Sequence, residues 1–175
     1  MRSVAGRIGP LFDPHLGGRV GNYVAQAILA TLAMMVILLL EDVVLRAAIV
    51  VAMASTVFTI FVVPNSVAAT PRKVVGGHLM GVAAGSLVAA FIGLPAIAPI
   101  VEDSRLLFDS LAALTVGLSI ALMVVMDGEH TPAAGAALGL VVHGWTLLSV
   151  GVILIGAIAL SVIRMVLRPR LVNLL

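Results

Sequence analysis

The sequence predicts an all-α fold: a polytopic transmembrane helical bundle of about six crossings, one of them short or broken. Three observations carry this. Hydrophobic residues make up 62% of the chain and charged residues only 10%, against the roughly 25% charged of an ordinary soluble domain. Mean hydropathy is +1.24. Apolar runs of spanning length recur, separated by short segments in which prolines and charges collect. A chain of 175 residues has room for one such bundle and for no extramembrane catalytic domain. The absence of Cys removes a disulfide framework, a thiol nucleophile and Cys-ligated metal sites.

The elements follow in order. Residues 1–21 hold Arg2, Arg7 and Arg19, are interrupted by Pro10, Pro14 and Gly17-Gly18, and lack a cleavage-site pattern, so they form a cytoplasmic or interfacial lead-in. A transmembrane domain over 22–168 follows, then a tail at 169–175. Spans are expected at 22–40, 45–63, 74–94, 106–126 and 147–167, each long enough for a slab of about 30 Å. Between the last two lies TPAAGAALGLVVHGW, with an apolar part bounded by His130 and His143. At 132–143 it is short for a crossing, so it must be buried in protein or line a cavity.

Basic residues test the orientation. Arg2, Arg7 and Arg19 precede the first span, Arg72 and Lys73 follow the second, and Arg164, Arg168 and Arg170 end the last. The opposite links carry Glu41, Asp42, Glu102 and Asp103 against Arg46 and Arg105. With the short segment crossing, every basic cluster and both termini fall on the cytoplasmic side, in a bacterial inner membrane. Ten Lys and Arg residues spread in this way report membrane orientation, and no nucleic-acid partner is expected.

Small residues set the packing. Gly77, Gly81, Gly85, Ala89 and Gly93 recur at every fourth position of the third span, leaving a face on which another backbone can approach closely. Ala113, Gly117 and Ala121 do the same in the fourth span, and Gly135 and Gly139 in the short segment. Three such ladders in so small a chain predict a homo-oligomer, a dimer or trimer.

Two helices open with the same dipeptide. Thr70-Pro71 starts the third span and Thr131-Pro132 the short one, each after a Val-Val exit and a polar connector. Thr is expected to cap and Pro to occupy the first helical position. A helix N-terminus offers unpaired N–H donors and partial positive charge to an anion. Arg72 and Lys73 sit in the first turn, where the dipole disfavours a cation, so something must compensate them: lipid headgroups or a small anion. His78 lies within the third span on the face of Gly81 and Gly85, and an ionisable residue there is a functional candidate. His130 stands at the second helix start, with Asp127 and Glu129 beside it. No i, i+4 ligand pair, catalytic triad spacing, P-loop or dinucleotide motif occurs, so neither a metal, a cofactor nor an enzymatic reaction is expected.

The stretches PNSVAATPRKVVGGHLMG and EHTPAAGAALG resemble, in order, the two signature motifs of the HPP family of integral membrane proteins. Here Thr131 stands where the family has the first Pro of His-Pro-Pro, and Val67 where it has a Pro after Asn-Ser. Because some HPP proteins are nitrite transporters, the resemblance implies a carrier of a small anion. It places the candidate positions at Asn65, Ser66, Pro71, Arg72, Gly77 and His78, with His130, Pro132, Ala133 and Gly135 from the second motif. The helix-start argument adds Thr70, Lys73 and Thr131. Two other readings use the same residues: a non-transporting membrane anchor or sensory module, and a channel for a neutral solute.

Overall fold

The computed structural model describes residues 16–40 and 47–174. These form α1 (Leu16–Leu40), α2 (Ala47–Val62), α3 (Pro71–Ile92), α4 (Ala98–Glu102), α5 (Arg105–Val125), α6 (Thr131–Val142) and α7 (Leu147–Leu167), with a 3-10 turn at Val67–Ala69. The molecule is an all-helical bundle, as the composition requires. Most of the expected lead-in, residues 1–15, and the link carrying Glu41, Asp42 and Arg46 lie outside the described residues. By length and apolar composition, α1, α3, α5 and α7 can each cross a membrane, whereas α2 and α6 are shorter. The turn of helix α4 was not foreseen from the sequence.

Local chemistry sets the boundaries. Pro71 is the first residue of α3, where its missing N–H costs nothing. Ser104 starts α5 by accepting the Leu107 N–H at 3.3 Å, and Thr146 starts α7 by accepting the Ser149 N–H at 3.1 Å. At the end of α5, Asp127 takes φ 51°, and the Gly128 N–H reaches back to the Met123 carbonyl at 2.8 Å. That is a Schellman closure with Asp in the left-handed position usually given to Gly.

Glycine contacts fix the helix directions. A Cβ on Gly81 would meet the Ala133 carbonyl, and one on Gly85 the Ala137 carbonyl, so α3 and α6 run side by side and parallel. Gly135 and Gly139 instead face Ala52 and Ile49, which makes α2 antiparallel to α6. Helix α1 meets the end of α2 and the C-terminal tail: the buried Gln26 side chain donates to the carbonyls of Phe61 and, at 3.0 Å, Val172. Arg164 Nε donates to the Pro64 carbonyl at 2.8 Å, and the Leu174 N–H to that of Val62 at 2.9 Å. The ends of α2, α5 and α7 and the starts of α1, α3 and α6 therefore share one end of the bundle. Although short, α6 reverses the chain direction as a crossing would.

Ile49, Met53, Ile60, Phe61, Val74, Leu140 and Ile153 fill the core between α2, α3, α6 and α7. Because lipid is as apolar as these side chains, close packing rather than water exclusion holds them. Gly77, Gly81 and Gly85 are all used within the chain, against α6 and the connector before it. The small face of α5, Ala113, Gly117 and Ala121, is exposed, with nothing among the described residues within 4 Å of a Cβ on Gly117.

Candidate functional site

Three polar side chains meet where α2, α3 and the start of α6 converge. Thr56 Oγ1 lies 3.0 Å from His78 Nε2 and 3.1 Å from His130 Nε2. The two imidazoles stand edge to face, with centroids 5.2 Å apart. Thr56 and His78 are 0% exposed and His130 1%. Gly77 makes this convergence possible, since its missing side chain leaves room for the His130 Cβ and the Gly128 carbonyl.

The hydrogen bonds have a direction. His130 Nδ1 lies 3.1 Å from the Ala68 carbonyl, which only accepts, so Nδ1 carries the proton and Nε2 of the neutral ring is bare. Thr56 must then donate its single hydroxyl proton to His130 Nε2, in preference to the Ala52 carbonyl at 3.2 Å. Its oxygen in turn accepts from His78 Nε2–H. The chain therefore runs His78 to Thr56 to His130 to Ala68. It leaves His78 Nδ1 as a buried acceptor with no partner among the described residues.

At the outer edge of this group, the two cations in the first turn of α3 meet the acids of the α5–α6 connector. Lys73, its side chain 11% exposed, hydrogen-bonds to both Asp127 and Glu129. Arg72 is 3.1 Å from Asp127. The compensation that the helix dipole demands is thus supplied by two carboxylates of the same chain. The Lys73 hydrogen bonds and charge hold the Asp127 and Glu129 carboxyls below the usual carboxylate range. The left-handed turn at Asp127 aims its carboxylate at Arg72 and Lys73.

The expected threonine caps do not form. Thr70 precedes α3, but its hydroxyl donates to the Val67 carbonyl at 2.7 Å, because the 3-10 turn offers that acceptor first. At the second start His130 is the N-cap and Thr131 already lies in the helix, which shifts Pro132 to the second position. Neither helix has a side-chain cap.

The remaining candidates divide by location. Asn65 donates its N–H to Asn173 Oδ1 at 3.0 Å, binding the connector to the C-terminal tail, and the Ser66 hydroxyl is buried without a partner among the described residues. No hydrogen bond among the described residues joins either to the histidines. Ala133 packs its carbonyl on Gly81. Thr131, Pro132 and Gly135 line an open cleft of about 580 Å³ between α2 and α6 that ends at His143. His143 Nε2 accepts the Ala48 N–H at 3.1 Å and so caps α2 from another helix.

Thr56 was not among the expected site residues. Thr31, Thr59 and Thr115 all bond the carbonyl four residues back, the ordinary behaviour of Thr in an apolar helix. Only the fold distinguishes Thr56 from these.

No curated protein and no solved structure matches the chain. The two signature stretches meet in this cluster, since PRKVVGGH carries Arg72, Lys73, Gly77 and His78 while EHTPAAG carries Glu129, His130 and the start of α6. The family described as HPP, transmembrane region, matches residues 17–174, and the chain belongs to that family of integral membrane proteins.

Proposed function

We propose that the protein is a membrane transporter of a small inorganic anion, nitrite first among candidates. One observation supports this above the others: two helices with Pro in the first turn, α3 and α6, run parallel from one end of the bundle over a glycine face and meet at Thr56, His78 and His130. Polar, ionisable groups fully enclosed in a membrane protein are costly and mark ion or proton pathways. Membership of the HPP family is the second support. The proposal includes a bacterial inner membrane with both termini cytoplasmic, and a homo-oligomer formed through the exposed small face of α5. It assigns no catalytic reaction.

The pairing of Lys73 and Arg72 with Asp127 and Glu129 favours a second reading, passage of a neutral solute. Two cations facing two carboxylates carry no net charge with which to concentrate anions. Nitrite uptake into proteoliposomes of the full chain decides between them. Saturable uptake above protein-free vesicles supports the anion reading; none, together with faster swelling in a small neutral solute, supports the other.

A further inference from the structure

The geometry points to a proton-loading site in the His78–Thr56–His130 chain, such that each anion crosses with one proton as an electroneutral pair. This rests on the transport reading and adds a co-substrate to it.

The chain is built to take up one proton. His78 Nδ1 is an enclosed acceptor with no donor to it among the described residues. A proton arriving there forms a new N–H. The His78 Nε2–H bond then breaks toward Thr56, the hydroxyl passes its own proton on, and a new N–H forms on His130 Nε2. The net result is one proton gained, held on His130, whose Nδ1–H already donates to the Ala68 carbonyl. Afterwards the two bonds at Thr56 point the other way, with His130 Nε2–H donating to Thr56 and Thr56 to His78 Nε2, while His130 Nδ1–H still donates to the Ala68 carbonyl. Thr56 is the only hydroxyl joining the two rings among the described residues.

The surroundings decide why an anion would travel with that proton. The described part of α2 contributes no titratable group. α3 contributes Arg72 and Lys73, the α5–α6 connector Asp127 and Glu129, and α7 Arg164, which binds the Pro64 carbonyl. Arg72 and Lys73 are thus already paired with Asp127 and Glu129 at the mouth, Arg164 is held on a backbone carbonyl, and none of these hydrogen-bonds to His78 among the described residues. An anion alone would be buried there without a counter-charge, and so would an imidazolium. Each supplies the other's counter-charge.

The test uses the full chain in proteoliposomes, with sodium nitrite as the probe and protein-free vesicles for the nitrous acid that crosses lipid unaided. With the potential clamped at zero, an inward proton gradient is expected to raise the initial rate at least tenfold over background, with about one proton entering per nitrite. A potential imposed at equal pH is expected to leave the rate unchanged. Thr56→Val keeps the shape and removes the link, and is expected to lose the proton-driven component; Thr56→Ser is expected to keep it. Uptake that follows the potential with no proton movement overturns the inference and leaves the transport reading standing. Uptake proton-driven to the same extent in a folded Thr56→Val overturns it too. No flux above background under either gradient removes the transport reading, and this inference with it.

Discussion

A Cβ placed on Gly77 would lie 2.5 Å from the Cβ of His130. The α3 backbone and the start of α6 thus touch where a side chain would otherwise stand. Gly77→Ala is expected to push His130 away from Thr56 and to lower stability by about 1–3 kcal/mol, the usual result of overpacking. Gly117→Ala has open space and is expected to change stability by less than about 0.5 kcal/mol. Thermal unfolding in a mild detergent checks the contrast, and equal losses would mean that the α3–α6 contact is looser than described.

Acid should loosen the mouth. The Asp127 and Glu129 carboxyls, hydrogen-bonded to Lys73, are held below their ordinary values. A depressed carboxylate stabilises the fold fully above its unfolded pKa, about 4, and this contribution disappears as pH falls through the folded value. Thermal stability is therefore expected to be flat from pH 8 to about 5 and to decline below about 4. The double variant Asp127→Asn, Glu129→Gln should flatten that decline, because Asn also tolerates the left-handed turn at 127. An identical acid decline in the variant would show that other groups cause it.

The chain has no native Cys, so topology can be read by single-Cys labelling. Gln26 joins α1 to Val172, which puts Asn22 and Arg170 at one end of the bundle and Ile100 at the other. Cys at Asn22 and Arg170 is expected to react from the same side of a sealed vesicle, and Cys at Ile100 from the opposite side. Labelling of Arg170→Cys from the side that reaches Ile100→Cys would show that α6 does not cross.

Exposed on α5, Ala113, Gly117 and Ala121 are expected to form the homo-oligomer contact. Gly117→Leu should then shift a dimer or trimer toward monomer in native mass spectrometry without loss of fold. An unshifted oligomer would place the contact elsewhere.

All the helices but α4, and their order, are legible because apolar run length and Thr-Pro punctuation act locally. The start of α3 at Pro71 and the end of α7 at Leu167 follow from them directly. The glycine face of α3 was legible too, but its partner was not, since a small-residue ladder does not say whether the second backbone belongs to the same chain. The pairing of Lys73 was half visible: the helix dipole required an anion, and the nearby acids at 127 and 129 were read only as neighbours of His130. Thr56 and the Thr70 hydroxyl could not be read at all, because each is decided by which acceptor the tertiary fold or the preceding turn brings near.

The shared direction of α3 and α6 bears on how such a protein can open. In carriers built from inverted repeats, the two broken helices enter from opposite sides, and inward-open and outward-open forms arise when the halves trade conformations. Two helices that start at the same end cannot trade in this way. The two mouths of any path through this bundle are consequently different devices: one framed by helix starts, glycine and paired charges, the other by helix ends around Gly93, α4 and His143. Opening one therefore need not mirror opening the other, and substitutions at the two ends should alter influx and efflux unequally.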